Sequence, residues 1–355
     1  MGISREKAGV TKNGETVTRY ILENAHGIRA EFLDLGAVMT NLWLPDRGGR
    51  LEDVVLGYDE VSQYEVNEPS FGCPVGRVAN RISGGGFDLN GVHYPLEQND
   101  GTNCLHGGFL RFNYKMYEAD TFVEDGACGV VFSRVSPDGE QGFPGNFTYE
   151  ISYRLTDEDQ LIFEIHGVSD QDTLVNMTNH SYFNFGPGGH AGAPVYDHEL
   201  QIEADEYTPT DEIHLPTGEI VPVEGTPFDF RRTKTVGRDL VMEKGPDYFP
   251  GYDHNFVVRR TPQQEDEILT VARVHHPVSG RTMTVSTNQK GLQIYTAPFL
   301  AGETGKGGAQ YGSSSAICFE TQYFANAINT PEFDDGVLKQ GQDYTHITVY
   351  TFETE

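Results

Sequence analysis

Apolar and polar residues alternate with a period of two in segment after segment of this chain, and a period of two is the spacing of a half-buried strand. The pattern is clear over Thr16–Leu22, Phe147–Leu155, Leu161–Val168, Leu269–Val274, Thr282–Thr287, Leu292–Ala297 and Tyr344–Phe352. Between such segments fall 41 Gly and 18 Pro, the residues that end strands and make turns. No amphipathic pattern longer than about three helical turns interrupts them. Without strand–helix alternation a parallel α/β sheet has no crossover helices, so the expected class is all-β, built as one large antiparallel sandwich. The 355 residues show no linker, low-complexity tract or fixed-period repeat, which predicts a single domain over residues 1–355.

Charge narrows the partners. Lys plus Arg number 25 against 53 Asp plus Glu, a formal charge of −28. A nucleic-acid binder needs a basic face to displace counterions, and an anionic membrane surface makes the same demand; neither partner is expected. The cations split into 8 Lys and 17 Arg. Such an acidic, Lys-poor surface is either a self-repelling solubility device or an adaptation to high salt, where carboxylates are screened. No apolar run approaches the roughly 20 residues that span a bilayer. The first residues, Met1 to Glu15, lack an apolar signal region, and Glu6 stands where a myristoylation motif wants Ser or Thr. Cys73, Cys104, Cys128 and Cys318 are widely spaced with no C-x-x-C, as reduced thiols of a cytoplasmic protein would be.

Twelve histidines invite a metal reading, yet there is no H-E-x-x-H and no paired Cys/His set with zinc spacing, so no metal is expected. His275 and His276 precede Pro277–Gly280, a hairpin turn, and neighbours on a strand face opposite ways. Leu105-His106-Gly107-Gly108 is like the oxyanion segment of esterases, which needs a nucleophile elbow. The nearest match, Gly312-Ser313-Ser314-Ser315-Ala316, runs into a strand-like segment instead of opening a helix.

Three polar islands remain where a plain sandwich needs none. Gly76 to Ile82 carries Arg77, Asn80 and Arg81 and is followed by Gly84-Gly85-Gly86, a place for backbone to approach a ligand. Asn176 to Asn184 sets His180 and Tyr182 among amides and hydroxyls. Cys318 to Gln322 puts Glu320 in an apolar strand, facing away from Phe319. A desolvated carboxyl has a raised pKa, suited to proton transfer near neutrality. Each has a plainer reading: a hydrogen-bonded structural His, an Arg81–Glu320 ion pair, and Asp253 as a turn residue.

Taken in order, these segments resemble the aldose 1-epimerase (galactose mutarotase) family. The likeness runs from Gly76–Ile82 through Gly86–Gly91, Asn103–Gly108, Thr178–Asn184, Pro216–Glu219, Thr226–Phe230, Gly251–His254 and Gly291–Tyr295 to Phe319–Gln322, essentially the whole chain. It implies a galactose mutarotase-like supersandwich that binds a free monosaccharide in a cleft on one sheet face. It implies His180 as general acid and Glu320 as general base, with substrate contacts from Asn80, Arg81, His106, Tyr182, Asp253 and Gln293. Two departures are visible: Ala325 and Asn326 stand where the family commonly has Pro and Asp.

The implied reaction interconverts α and β anomers of hexoses such as galactose and glucose. Ring opening removes a proton from O1 and supplies one to the ring oxygen O5, and a carboxylate and an imidazolium on opposite sides of O1–C1–O5 would do both. Arg81 and His106 would donate to O5 and its neighbours, and Asp253 would accept from hydroxyls. No cofactor is required. The alternatives on the same fold are a hexose-6-phosphate epimerase, disfavoured by the charge of −28, and a carbohydrate-binding protein without chemistry, for which His180 and Glu320 together are superfluous. A monomer or weak homodimer is expected. In so acidic a chain, Arg77 and Arg81 are expected to be placed for the site.

Overall fold

Three antiparallel sheets absorb the alternating segments in a computed structural model that describes residues 1–240 and 251–355. The first has five strands in chain order: Gly2–Val10, Thr16–Glu23, Arg29–Leu33, Met39–Pro45 and Leu51–Asp53. The second has nine. Its centre is Gln160–Ser169, Asp343–Thr354 and Arg281–Thr287, so the C-terminal strand closes the sheet between two earlier ones. The third has five strands, and its working end is Asp253–Val257, Gly291–Tyr295 and Cys318–Gln322. Among the described residues the α-helical content is one turn, Val61–Tyr64. No helix among them is long and apolar enough to cross a membrane. The expected all-β sandwich is therefore the fold.

Burial follows the alternation. In Phe147–Thr156 the residues Phe147, Tyr149, Ile151, Tyr153 and Leu155 are buried and the residues between them are not. They meet Leu22, Phe32, Met39 and Leu42 of the first sheet in one continuous core, where the Phe32 and Tyr153 rings stack at 4.2 Å. Each such side chain removed from water contributes about 1.5–3 kcal/mol. The segment Leu292–Ala297 is shorter than its pattern: the strand ends at Tyr295, and Ala297 turns the chain with φ +53°. His275 and His276 lead into the expected turn and have different partners. His275 Nδ1 lies 2.9 Å from the Thr282 hydroxyl, and His276 Nδ1 lies 3.2 Å from that of Ser279.

Arg77 is not a site residue. It is fully buried, donates to the carbonyls of Ser136, Pro137 and Pro144 and to the hydroxyls of Ser136 and Thr173, and lies 5.9 Å from the Phe143 and Phe147 rings. Nor do Gly85 and Gly86 leave room for a ligand. A Cβ at Gly85 would sit 2.5 Å from Gln98 Cγ and one at Gly86 2.9 Å from the Tyr94 carbonyl oxygen, so the chain itself occupies that space. Gly312–Ala316 opens no helix, and the Ser315 hydroxyl donates to the carbonyls of Gly192 and Gly312. All four cysteines are buried and unpaired.

Candidate active site

The strand register of the third sheet decides which side chains share a face. Asn255, Gln293 and Glu320 lie directly opposite one another, as do Asp253, Tyr295 and Cys318. The intervening Phe256, Leu292, Ile294 and Phe319 point into the core. The outward face of an otherwise apolar ladder thus carries Asp253, Gln293, Tyr295 and Glu320. Asp253 begins a strand and is not a turn residue.

His180 arrives from a separate short strand, Thr178–His180, paired with Cys73–Val75. Two bonds fix it beside Glu320. The Thr178 hydroxyl donates to the Thr321 carbonyl at 2.8 Å, and the Gly72 amide donates to the His180 carbonyl at 3.0 Å. Gly72 has φ +67°, and a Cβ there would fall 2.0 Å from the Met39 carbonyl oxygen, so only glycine allows this approach. The third contribution is a loop crossing in which Leu105 pairs with Arg81. Asn80 and His106 both hold left-handed backbone, φ +60° and +54°, and grip each other: the His106 amide donates to the Asn80 carbonyl at 3.0 Å and the Asn80 amide to His106 Nδ1 at 3.2 Å. A non-glycine residue held there costs on the order of 1 kcal/mol or more, and such strain concentrates at functional sites. With Nδ1 accepting, Nε2 of His106 carries its proton.

These elements line one cleft of about 190 Å³, bounded by Glu68, Pro69, Ser70, Asn80, Arg81, Leu105, His106, Arg111, His180, Tyr182, Asp253, Tyr295, Phe299 and Glu320. Seven of the eight expected residues are on that wall. Gln293 is behind it, buried, donating from Nε2 to Asp253 Oδ1 at 2.7 Å, which orients the carboxylate. Arg81 pairs with Asp100 at 2.7 Å and not with Glu320. Asn326 accepts the Ser83 amide on Oδ1 at 2.9 Å and ties its segment to the loop after Arg81.

His180 Nε2 and Glu320 Oε1 are 3.7 Å apart, both buried. Both line the same cleft, within reach of one molecule held there. The His180 ring stacks on Tyr182 (4.9 Å, 19°) and meets His106 edge-on at 5.4 Å. Tyr182 is held by donating to the Pro69 carbonyl at 2.9 Å. His180 Nδ1 has no hydrogen-bond partner among the described residues, so ring packing sets its orientation. Burial pushes His180 down to about 3 and holds Glu320 well above the carboxylate range, where Asp253 adds to the rise and Arg81 opposes it. His106 is lowered by burial and then by His180 and Arg111. Burial disfavours the charged form of both groups, and so works against the imidazolium–carboxylate pair until a partner is bound.

Residues missed by the sequence reading include Tyr295, Arg111 and Phe299. Tyr295 lies two positions from Gln293, and the period of two would have placed it on the same face. Arg111 follows His106-Gly107-Gly108 by three residues, a weak signal. Phe299, 60% exposed at the rim, has none.

The sequence profile described as aldose 1-epimerase matches residues 18–351. The chain belongs to the aldose 1-epimerase family. It is accordingly an enzyme, a carbohydrate isomerase. A galactose mutarotase of Sus scrofa is 41% identical over 99% of both chains, and that of Homo sapiens is 41% identical over 96% of this chain and 95% of the relative. An aldose epimerase homologue from C. elegans superposes with a TM-score of 0.83 at 32% identity, covering 94% of this chain and 98% of that one. A galactose 1-epimerase from Lactobacillus acidophilus gives 0.83 at 26% identity, covering 99% of each. The antiparallel sandwich is the fold these aldose epimerases share.

Proposed function

We propose that His180 and Glu320 are the proton-transfer pair of this aldose 1-epimerase and that its substrates are free hexoses such as galactose, the sugar named in its relatives. The observation that carries the reading is the 3.7 Å approach of a buried imidazole and a buried carboxyl on a cleft sized for one monosaccharide. The two groups hold one proton between them. An O1 hydroxyl donating to Glu320, with Arg81 nearby, favours the carboxylate and moves that proton onto His180. Glu320 then takes the O1 proton while His180 protonates O5, and the ring opens. Rotation about C1–C2 followed by the reverse transfers closes it on the other face, restoring both groups with no net proton change. Arg81 and His106 Nε2–H donate to oxygens that gain charge, and Asp253, set by Gln293, accepts from hydroxyls. No step moves electrons between molecules.

Polarimetry on freshly dissolved α-D-galactose tests this. Glu320→Gln and His180→Asn are each expected to lower the catalysed rate by about 10²–10⁴-fold. Wild-type rates in both variants, or no acceleration by the unmodified protein, would refute the assignment.

A further inference from the structure

In a chain with 53 carboxylates, the two pocket guanidiniums are treated differently. Arg81 is neutralised by Asp100 at 2.7 Å. Arg111 forms no ion pair among the described residues. It is held by neutral oxygens alone: Nε donates to the Gly108 carbonyl at 3.3 Å, and Nη1 donates to the Glu68 carbonyl and the Ser70 hydroxyl, both at 3.1 Å. Arg111 takes the backbone oxygen of Glu68, and no ion pair joins it to the Glu68 carboxylate. Three of its five N–H groups are committed to fixing its position, and Nη2 takes part in none of these bonds. Asp253, also on the wall, accepts from Gln293. The result is an anchored cation on the histidine side of a sugar cleft, with an uncommitted donor edge. A hydroxyl would gain a modest hydrogen bond there, whereas a carboxylate would gain a charge-assisted one.

We propose that Arg111 extends the substrate range of this cleft to aldoses that carry a carboxylate, the hexuronic acids, whose carboxylate would rest on Nη2 while the anomeric centre meets His180 and Glu320. The proposal rests on the epimerase reading above. The proton transfers are those of a neutral hexose, and the carboxylate forms and breaks no bond.

Polarimetry on α-D-galacturonate beside α-D-galactose separates the two readings. The protein should accelerate both. Arg111→Gln should lower kcat/KM for galacturonate on the order of ten- to a hundred-fold more than for galactose, the weight of a charge-assisted hydrogen bond, and Arg111→Lys should recover part of that difference. Raising ionic strength should slow the galacturonate reaction selectively. Galactose accelerated with galacturonate left at the buffer rate overturns this inference and leaves the epimerase reading standing. Equal losses for both sugars in Arg111→Gln also overturn it, as does a substrate ratio unmoved in a folded Arg111→Lys. Acceleration of neither sugar overturns both readings.

Discussion

Five carboxylates are buried among the described residues: Glu31, Asp34, Glu52, Asp53 and Glu320. Glu31 lies against Arg29, Glu52 against Arg281 and Asp53 against Lys306, and Asp34 accepts the Thr18 amide. Glu320 instead lies 3.7 Å from the imidazole of His180 on the cleft wall. Its raised pKa has a cost in stability whose sign can be worked out. The unfolded carboxyl loses its proton near pH 4, the folded one well above, so between those points the folded state binds one proton more and stability falls as pH rises. His180 acts in the opposite sense. Its pKa of about 3 in the fold against roughly 6.5 unfolded means that stability is lost as pH falls through that window. Glu320→Gln should therefore melt at a higher temperature than the wild type at pH 7–8, with the gain vanishing near pH 4. Melting followed by circular dichroism across that range checks it, and an equal or lower melting temperature at pH 8 would contradict the charge state assigned to Glu320.

At the scale of elements, the period-two segments were legible because alternation is imposed locally by the pleat, and the opposed faces of Phe319 and Glu320 followed from it. What alternation could not show is which strands become neighbours. Gln293 behind Asp253 is a cross-strand relation between segments 40 residues apart. The site's distance from the nine-stranded sheet is likewise set by long-range ties. His346 of the C-terminal strand reaches the hydroxyl of Thr321, on the back of the strand bearing Glu320, at 2.9 Å. Lys306 makes a corresponding tie to the first sheet. From a loop late in the chain its Nζ donates to the Thr40 carbonyl, to Asp53 Oδ2 at 2.6 Å and to the Val55 carbonyl at 2.9 Å. Lys306→Met would leave Asp53 buried without its cation and should cost about 3–5 kcal/mol in urea unfolding. A loss below about 1 kcal/mol would show that the pair is not a structural clamp.

For the whole molecule, the excess of carboxylate lies outside the core, where like charges repel across the surface. Unfolding temperature is expected to rise between low and molar salt as that repulsion is screened, and a flat response would leave the charge as a solubility device. The main core draws residues from Tyr20 to Phe352. We propose on that ground that residues 1–355 unfold as one unit, which calorimetry tests: two separable transitions would divide the chain.

The sequence by itself determined the sheet class, the pairing of a polar and an apolar face along each strand, and through ordered motifs the family, because each depends on residue type and local spacing. Tertiary structure alone decided that Arg77 is a strut and Arg111 a pocket residue, that Arg81 answers to Asp100, and that His180 and Glu320 meet at 3.7 Å in a buried setting. The physical reason is that burial and long-range register, neither of which spacing encodes, set the charge a side chain can carry and the partner it finds.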